Sequence, residues 1–147
     1  MRRFPSGICV VTVDDEGLKL GLTVGSLASL SLEPPLVGIS IGLDSSLHGP
    51  LRRARRFVVS VLAGEQAALA QHFARSVPPI AQWTRVRTRA SDLPEPLLEG
   101  ARAWLECLVV EEYPAGDHTF FVGELASVEL GAEGPGLVYI EGEYRSA

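Results

Sequence analysis

The C-terminal third of the chain constrains the fold most. From Ala101 it reads ARAWLECLVVEEY, PAGDH, TFFVGELASVEL, GAEGPG and LVYIEGEYR, long β-branched and aromatic runs separated by short clusters rich in Gly, Pro and Asp. Runs of this kind, joined by turns too short to hold a helix, pair as antiparallel hairpins, because a parallel pair needs a crossover of a dozen residues or more. The pattern predicts strands over 101–113, 119–130 and 137–145.

The N-terminal half continues the pattern. ICVVTV at 8–13, the turn DDEG at 14–17 and LKLGLTV at 18–24 predict a hairpin, and LVGISIGL at 36–43 and FVVSVLA at 57–63 predict two further strands. The stretch GSLASLSLEPP, 25–35, is small and hydroxyl-rich, and Pro34 and Pro35 exclude helix and push Glu33 toward extended geometry, so a structured loop or irregular edge segment is expected. Asp44, Ser45 and Ser46 are N-cap candidates for a helix LHGPLRRARR, and EQAALAQHFAR at 65–75 sets Leu69 and Phe73 four apart on a short amphipathic helix. Residues 77–100 are rich in Pro with no clean period and are expected to form an excursion with at most one helical turn. Six or seven strands, joined mainly by hairpins, with two short helices, indicate a mainly β chain folded as a small antiparallel barrel.

Composition sets the remaining bounds. At 147 residues the chain fits one domain, 1–147, with no repeat or linker, and 46% hydrophobic against 21% charged residues is ordinary for a globular protein. Thirteen basic against 18 acidic side chains give a formal charge of −5, which argues against a generic grip on nucleic acid. Cys9 and Cys107, without a CxxC, build neither a disulfide framework nor a zinc cluster, and both sit in apolar runs where a buried thiol acts as a small hydrophobe. His48, His72 and His118 lack HxxxH spacing, so no metal site is expected. No apolar segment approaches the ~20 residues of a membrane helix, and MRRFPSGICVVTV lacks a signal-peptide core, so a cytoplasmic protein is expected.

The common catalytic templates are missing. There is no GxGxxG and no GxxxxGK. A cofactor enzyme stays open, because the protein then needs only to bind, orient and tune the reactive group. Three places could do so, and each also has a plain reading. Thr23 to Ser31, TVGSLASLS, lets backbone amides approach a planar polar ligand, or satisfies its own turns. Asp44-Ser45-Ser46, before a helix carrying RRARR, offers a phosphate site completed by an arginine, or an ordinary N-cap with a solvated basic face. Gly116-Asp117-His118 orients an imidazole, or is a hairpin turn.

Taken in order, FPSGICVVT, GLTVGSLASLSLEPPLV, FVVSVL, PLLEGARAWLECLVVE, GDHTFFVGEL and the ending GEYR are similar to the flavin reductase-like family of FMN-binding split barrels, over essentially Arg3 to Arg145. The resemblance implies a six- to seven-stranded antiparallel split barrel with short flanking helices, a homodimer with flavin near the subunit interface, and NAD(P)H-dependent reduction of FMN, with FAD possible, often on behalf of a partner monooxygenase. It places Thr23, Val24, Gly25, Ser26 and Ser29 at the flavin ring, Asp44, Ser45 and Ser46 at its phosphate, and Ser60 in its neighbourhood. It sets Asp117 and His118 near the nicotinamide, with His118 as a positioning group, and Tyr144-Arg145 as the closing motif. Gly25 and Leu27 stand where Ser and Phe are more usual in the family, Ser60 where Asn is common, Leu47 where Thr is common and Glu143 where Gly is usual. The chain starts at the FPSG motif, without the short N-terminal helix that many members carry. A non-catalytic FMN-binding or electron-carrier protein on the same fold is the competing expectation.

Overall fold

The computed structural model describes residues 1–147. Seven strands form its main antiparallel sheet: β2 (Cys9–Asp15), β3 (Leu18–Val24), β4 (Ala28–Leu32), β5 (Pro35–Gly42), β6 (Arg56–Val61), β9 (Ala103–Ala115) and β10 (His118–Leu130). Their spatial order is β3-β2-β6-β9-β10-β5-β4, so the two edge strands, β3 and β4, are consecutive in sequence. In a flat sheet those edges would lie roughly 29 Å apart at about 4.8 Å per strand. The four Cα steps from Val24 to Ala28 span at most about 15 Å. The sheet must therefore curl until its edges face each other, and the result is a barrel split between β3 and β4.

Alternation fills the barrel. Cys9, Val11 and Val13 of β2, Val37, Ile39 and Ile41 of β5, and Phe57, Val59, Cys107 and Phe121 point into one continuous core with Leu51 of the short helix α1 (His48–Ala54) and Leu47 just before it. The other face of β2, through Val10 and Thr12, is covered by α2 (Ala67–Ala74) and by the excursion that follows it. That excursion holds the single helical turn α3 (Pro79–Gln82) and two short strands, β7 (Thr88–Arg89) and β8 (Leu97–Leu98). Gln82 fixes it to the barrel: its Oε1 accepts the Gly21 N–H at 2.9 Å and its Nε2 donates to the Gly21 carbonyl at 2.8 Å, replacing the strand that β3 lacks on its open side.

Residues 28–32 form the irregular edge element expected there, an edge strand with a bulge at Leu30 whose alternation is hidden because neither of its faces is deeply buried. Three other expectations are corrected. The helix begins at His48 with Leu47 as its N-cap, and no side chain caps it; Ser45 Oγ instead accepts the Leu47 N–H at 3.2 Å. That helix stops at Ala54, because Arg55 turns to φ 60° and Arg56 already belongs to β6. The final run is two strands, β11 (Leu137–Ile140) and β12 (Glu143–Ser146), because Glu141 and Gly142 both take positive φ, 55° and 87°, as a two-residue hairpin requires. With β1 (Ser6–Gly7), which the sequence did not suggest, they form a separate three-stranded sheet. The turn at Glu16-Gly17 uses the same geometry, pinned by Asp14 Oδ1 accepting the Gly17 N–H at 2.8 Å. No helix is long and apolar enough to cross a membrane.

Candidate functional site

The linker across the split, Gly25 to Leu27, carries three consecutive backbone amides that find no acceptor within the chain. Ser26 holds the linker in place. Its Oγ accepts the Ser40 N–H at 3.0 Å and donates to the Ser40 carbonyl at 3.3 Å, fastening the crossing to β5. Gly25 lies against Ser6, where a Cβ would come within 3.2 Å, so the small residue lets the loop sit close to β1. Ala28 and Ser29 are exposed at the start of β4.

The same strip continues along β5. Gly38, Ser40 and Gly42 alternate onto one face, and His118, the first residue of β10 rather than a turn residue, pairs directly with Gly42. A Cβ on Gly42 would lie 2.9 Å from Asp44 Oδ1 and 3.9 Å from His118 Nε2, so the glycine leaves room in which Asp44 and His118 converge. Asp117 Oδ1 lies 2.7 Å from His118 Nδ1 and so orients the ring. That hydrogen bond is the main reason the Asp117 carboxyl is held below its ordinary value. Past Asp44, Ser46 is exposed, and the amides of Ser46 and Gly49 have no acceptor in the chain. His48, weighed in the sequence only as a metal ligand and not as a site residue, lies inside this end of the barrel, with Nε2 2.7 Å from Thr119 Oγ1 and its ring edge-on to Phe121. No spacing signal marks it, since its partners are 71 and 73 residues away.

Other expected residues are turned elsewhere. Thr23 Oγ1 donates to the Ala70 carbonyl at 2.6 Å and ties β3 to α2. Val24 is buried, and its carbonyl accepts the Cys9 thiol. Ser60 is fully buried and accepts the Leu98 N–H at 3.2 Å beneath β8. No arginine of RRARR serves the loop at 44–46. Arg53 pairs with Asp15, Arg52 and Arg55 pair with Glu112, and Arg56 pairs with Glu95 and Glu106. Arg145 pairs with Glu141 and Glu143 within its own hairpin.

What the structure brings together is thus one strip, Gly25-Ser26-Leu27, Ser40, Gly42, Asp44 to Ser46 and His118, with free amide donors at both ends and an oriented imidazole beside it. A flat ligand rich in acceptors at one end and anionic at the other matches that donor distribution. The chain matches the flavin reductase like domain over residues 1–147. It is 39% identical over 97% of its length to an NADH-dependent FAD reductase of Streptomyces globisporus, covering 79% of that protein. It is 40% identical over 99% of its length to the reductase component of a 4-hydroxyphenylacetate 3-monooxygenase from Thermus thermophilus, covering 91% of that protein. The crystal structure of the flavin reductase component of a bacterial two-component tryptophan halogenase superposes with a TM-score of 0.90 at 36% identity, covering 99% of this chain and 92% of that one. The chain belongs to the flavin reductase-like family.

Proposed function

We propose that this flavin reductase uses NADH, or NADPH, to reduce FMN, or FAD, bound along the β5 strip, and that it supplies the reduced flavin to a monooxygenase. The observation that carries the reading is the run of unpartnered amides at Gly25, Ser26 and Leu27, continuous through Ser40 and Gly42 with the free donors at Ser46 and Gly49. When bound, the flavin supplies the two-electron chemistry. The chain's own part is to bind and orient. The three linker amides and the Ser29 hydroxyl donate to the acceptors of the ring, and the same amides favour the charge that reduction adds to it. The Ser45 and Ser46 hydroxyls and the two free amides hold the phosphate. Asp44, an anion, serves the His118 side rather than the phosphate. His118, held by Asp117, places the nicotinamide and moves no proton.

FMN is expected to bind more tightly than riboflavin, and replacing Ser45 and Ser46 by Ala weakens FMN by about 1–3 kcal/mol. Riboflavin binding as tightly as FMN would remove the phosphate assignment. His118→Ala raises KM for NADH while FMN affinity stays unchanged; an equally fast variant at subsaturating NADH would reduce His118 to a strand residue. A protein that binds FMN yet never bleaches it with NADH or NADPH would be the carrier. The reading also includes a homodimer of one-domain chains, 1–147, in the cytoplasm. The outer face of β4, β5, β10 and β9 supports the pairing, since it exposes Leu30, Leu108, Val110 and Tyr113 beside Phe120. Sedimentation of a monomer with stoichiometric FMN at micromolar concentration counts against it.

A further inference from the structure

A cavity of about 380 Å³ opens between the start of β3 and the excursion, at residues 83–97, and none of the strip residues lines it. Its volume lies at the lower end of the roughly 300–1,000 Å³ of small-molecule sites, enough for a one-ring compound but not for a dinucleotide. Trp83 forms an aromatic wall whose orientation is fixed at both ends: its Nε1–H donates to the Lys19 carbonyl at 2.8 Å and its ring packs on Phe73 at 5.2 Å. Leu93 and Leu97 add apolar surface, and Thr88 and Ser91 add hydroxyls.

The charges around the cavity favour one anion. Glu95 is the only acid in the lining, and its carboxylate is fully buried and taken up by Arg56. Arg89 is engaged, with its guanidinium 4.3 Å over the Trp104 ring and 2.7 Å from Glu129. Lys19, the only lysine of the chain, forms no ion pair. Asp14 opposite it turns Oδ1 to the Gly17 amide instead. Around this cation the chain from Gln66 to Ser91 holds four arginines and no acidic residue, although the whole chain is acidic. Field lines from such a segment focus on a recess between low-dielectric walls. We infer that this cavity is a second ligand site, separate from the flavin strip, for a one-ring aromatic monocarboxylate whose ring lies against Trp83 and whose carboxylate meets Lys19. Within the lining one free cation matches one negative charge; a phosphate dianion beside Glu95 would leave charge uncompensated.

The test is calorimetric titration of the purified protein with benzoate, together with tryptophan fluorescence, in the presence and absence of saturating FMN. Benzoate is expected to bind saturably and to change the Trp83 emission, with the same affinity whether or not FMN is bound. Lys19→Gln, an exposed substitution, weakens benzoate about tenfold and leaves FMN affinity intact. Cyclohexanecarboxylate and uncharged benzamide bind more weakly than benzoate. The inference fails if benzoate shows no saturation at millimolar concentration, if it competes with FMN, if Lys19→Gln binds it as tightly as the parent, or if benzamide or AMP binds as well as benzoate. FMN titration on the same samples scores the flavin site independently.

Discussion

The excursion is held down by one buried charge, and this makes Arg56 the most informative residue to remove. Glu95 has no exposed side-chain surface, and Arg56 donates to both of its oxygens, at 2.5 and 3.2 Å, while its second terminal contact reaches Glu106 at 3.1 Å. Arg56→Met leaves the carboxylate of Glu95 buried without a counter-ion, a loss of about 3–5 kcal/mol. Glu95→Gln is milder, about 1–2 kcal/mol, because Arg56 keeps Glu106 and is one-third exposed to water. The double variant Arg56→Met with Glu95→Leu should recover to near the parent, since apolar groups of similar volume replace a buried pair at little net cost. Urea unfolding at pH 7, followed by tryptophan fluorescence and circular dichroism, measures all three. The reasoning is refuted if Arg56→Met lies within about 0.5 kcal/mol of the parent, as a surface substitution would, or if the double variant costs the sum of its parts.

Cys9 and Cys107 are pushed up to about 12 by burial, so neither should react with a disulfide reagent at pH 8 until the protein unfolds. As the folded values lie above the ordinary 9.0, the unfolded chain releases these protons first, and the stability they contribute is full below about pH 9 and lost between 9 and 12; urea midpoints across that range, compared with Cys9→Ala and Cys107→Ala, show the slope. Gly38→Ala drives a methyl into the Phe120 ring and should cost about 1–3 kcal/mol in thermal unfolding, partly restored by Phe120→Leu. Ser26→Ala frees the Ser40 amide and should cost about 1–3 kcal/mol while loosening FMN; unchanged FMN affinity would detach the linker from the flavin site.

Local signals carried the hairpins. The β2–β3 and β9–β10 pairs follow from apolar runs around DDEG and PAGDH, and the single turn at Pro79–Gln82 from the lack of period around it. The turn at Glu141-Gly142 escaped notice because Glu rarely accepts positive φ, whereas Asn or Asp there would have marked it. The arginines of RRARR illustrate the other limit. As a sequence they form a basic face near a phosphate loop; in space they are spent on Asp15, Glu112, Glu95 and Glu106, partners 38 residues or more distant. Ser26 was legible as a site residue, but its bond to Ser40, and Gly42 as the meeting point of Asp44 and His118, depend on β5 pairing with β10, which no spacing encodes.

Because the edges of the split are joined by only Gly25 to Leu27, strands made one after the other end up on opposite sides of the gap, with five others between them. During synthesis the segments at 23–29 and 44–46 leave the ribosome early, yet the strand that holds β5 in place ends at Leu130, roughly 80 residues later, or about 4–16 s at 5–20 residues per second. Until then nothing brings His118 beside Gly42 and Asp44. The imidazole end of the proposed flavin strip is therefore the last part of it to be assembled during synthesis.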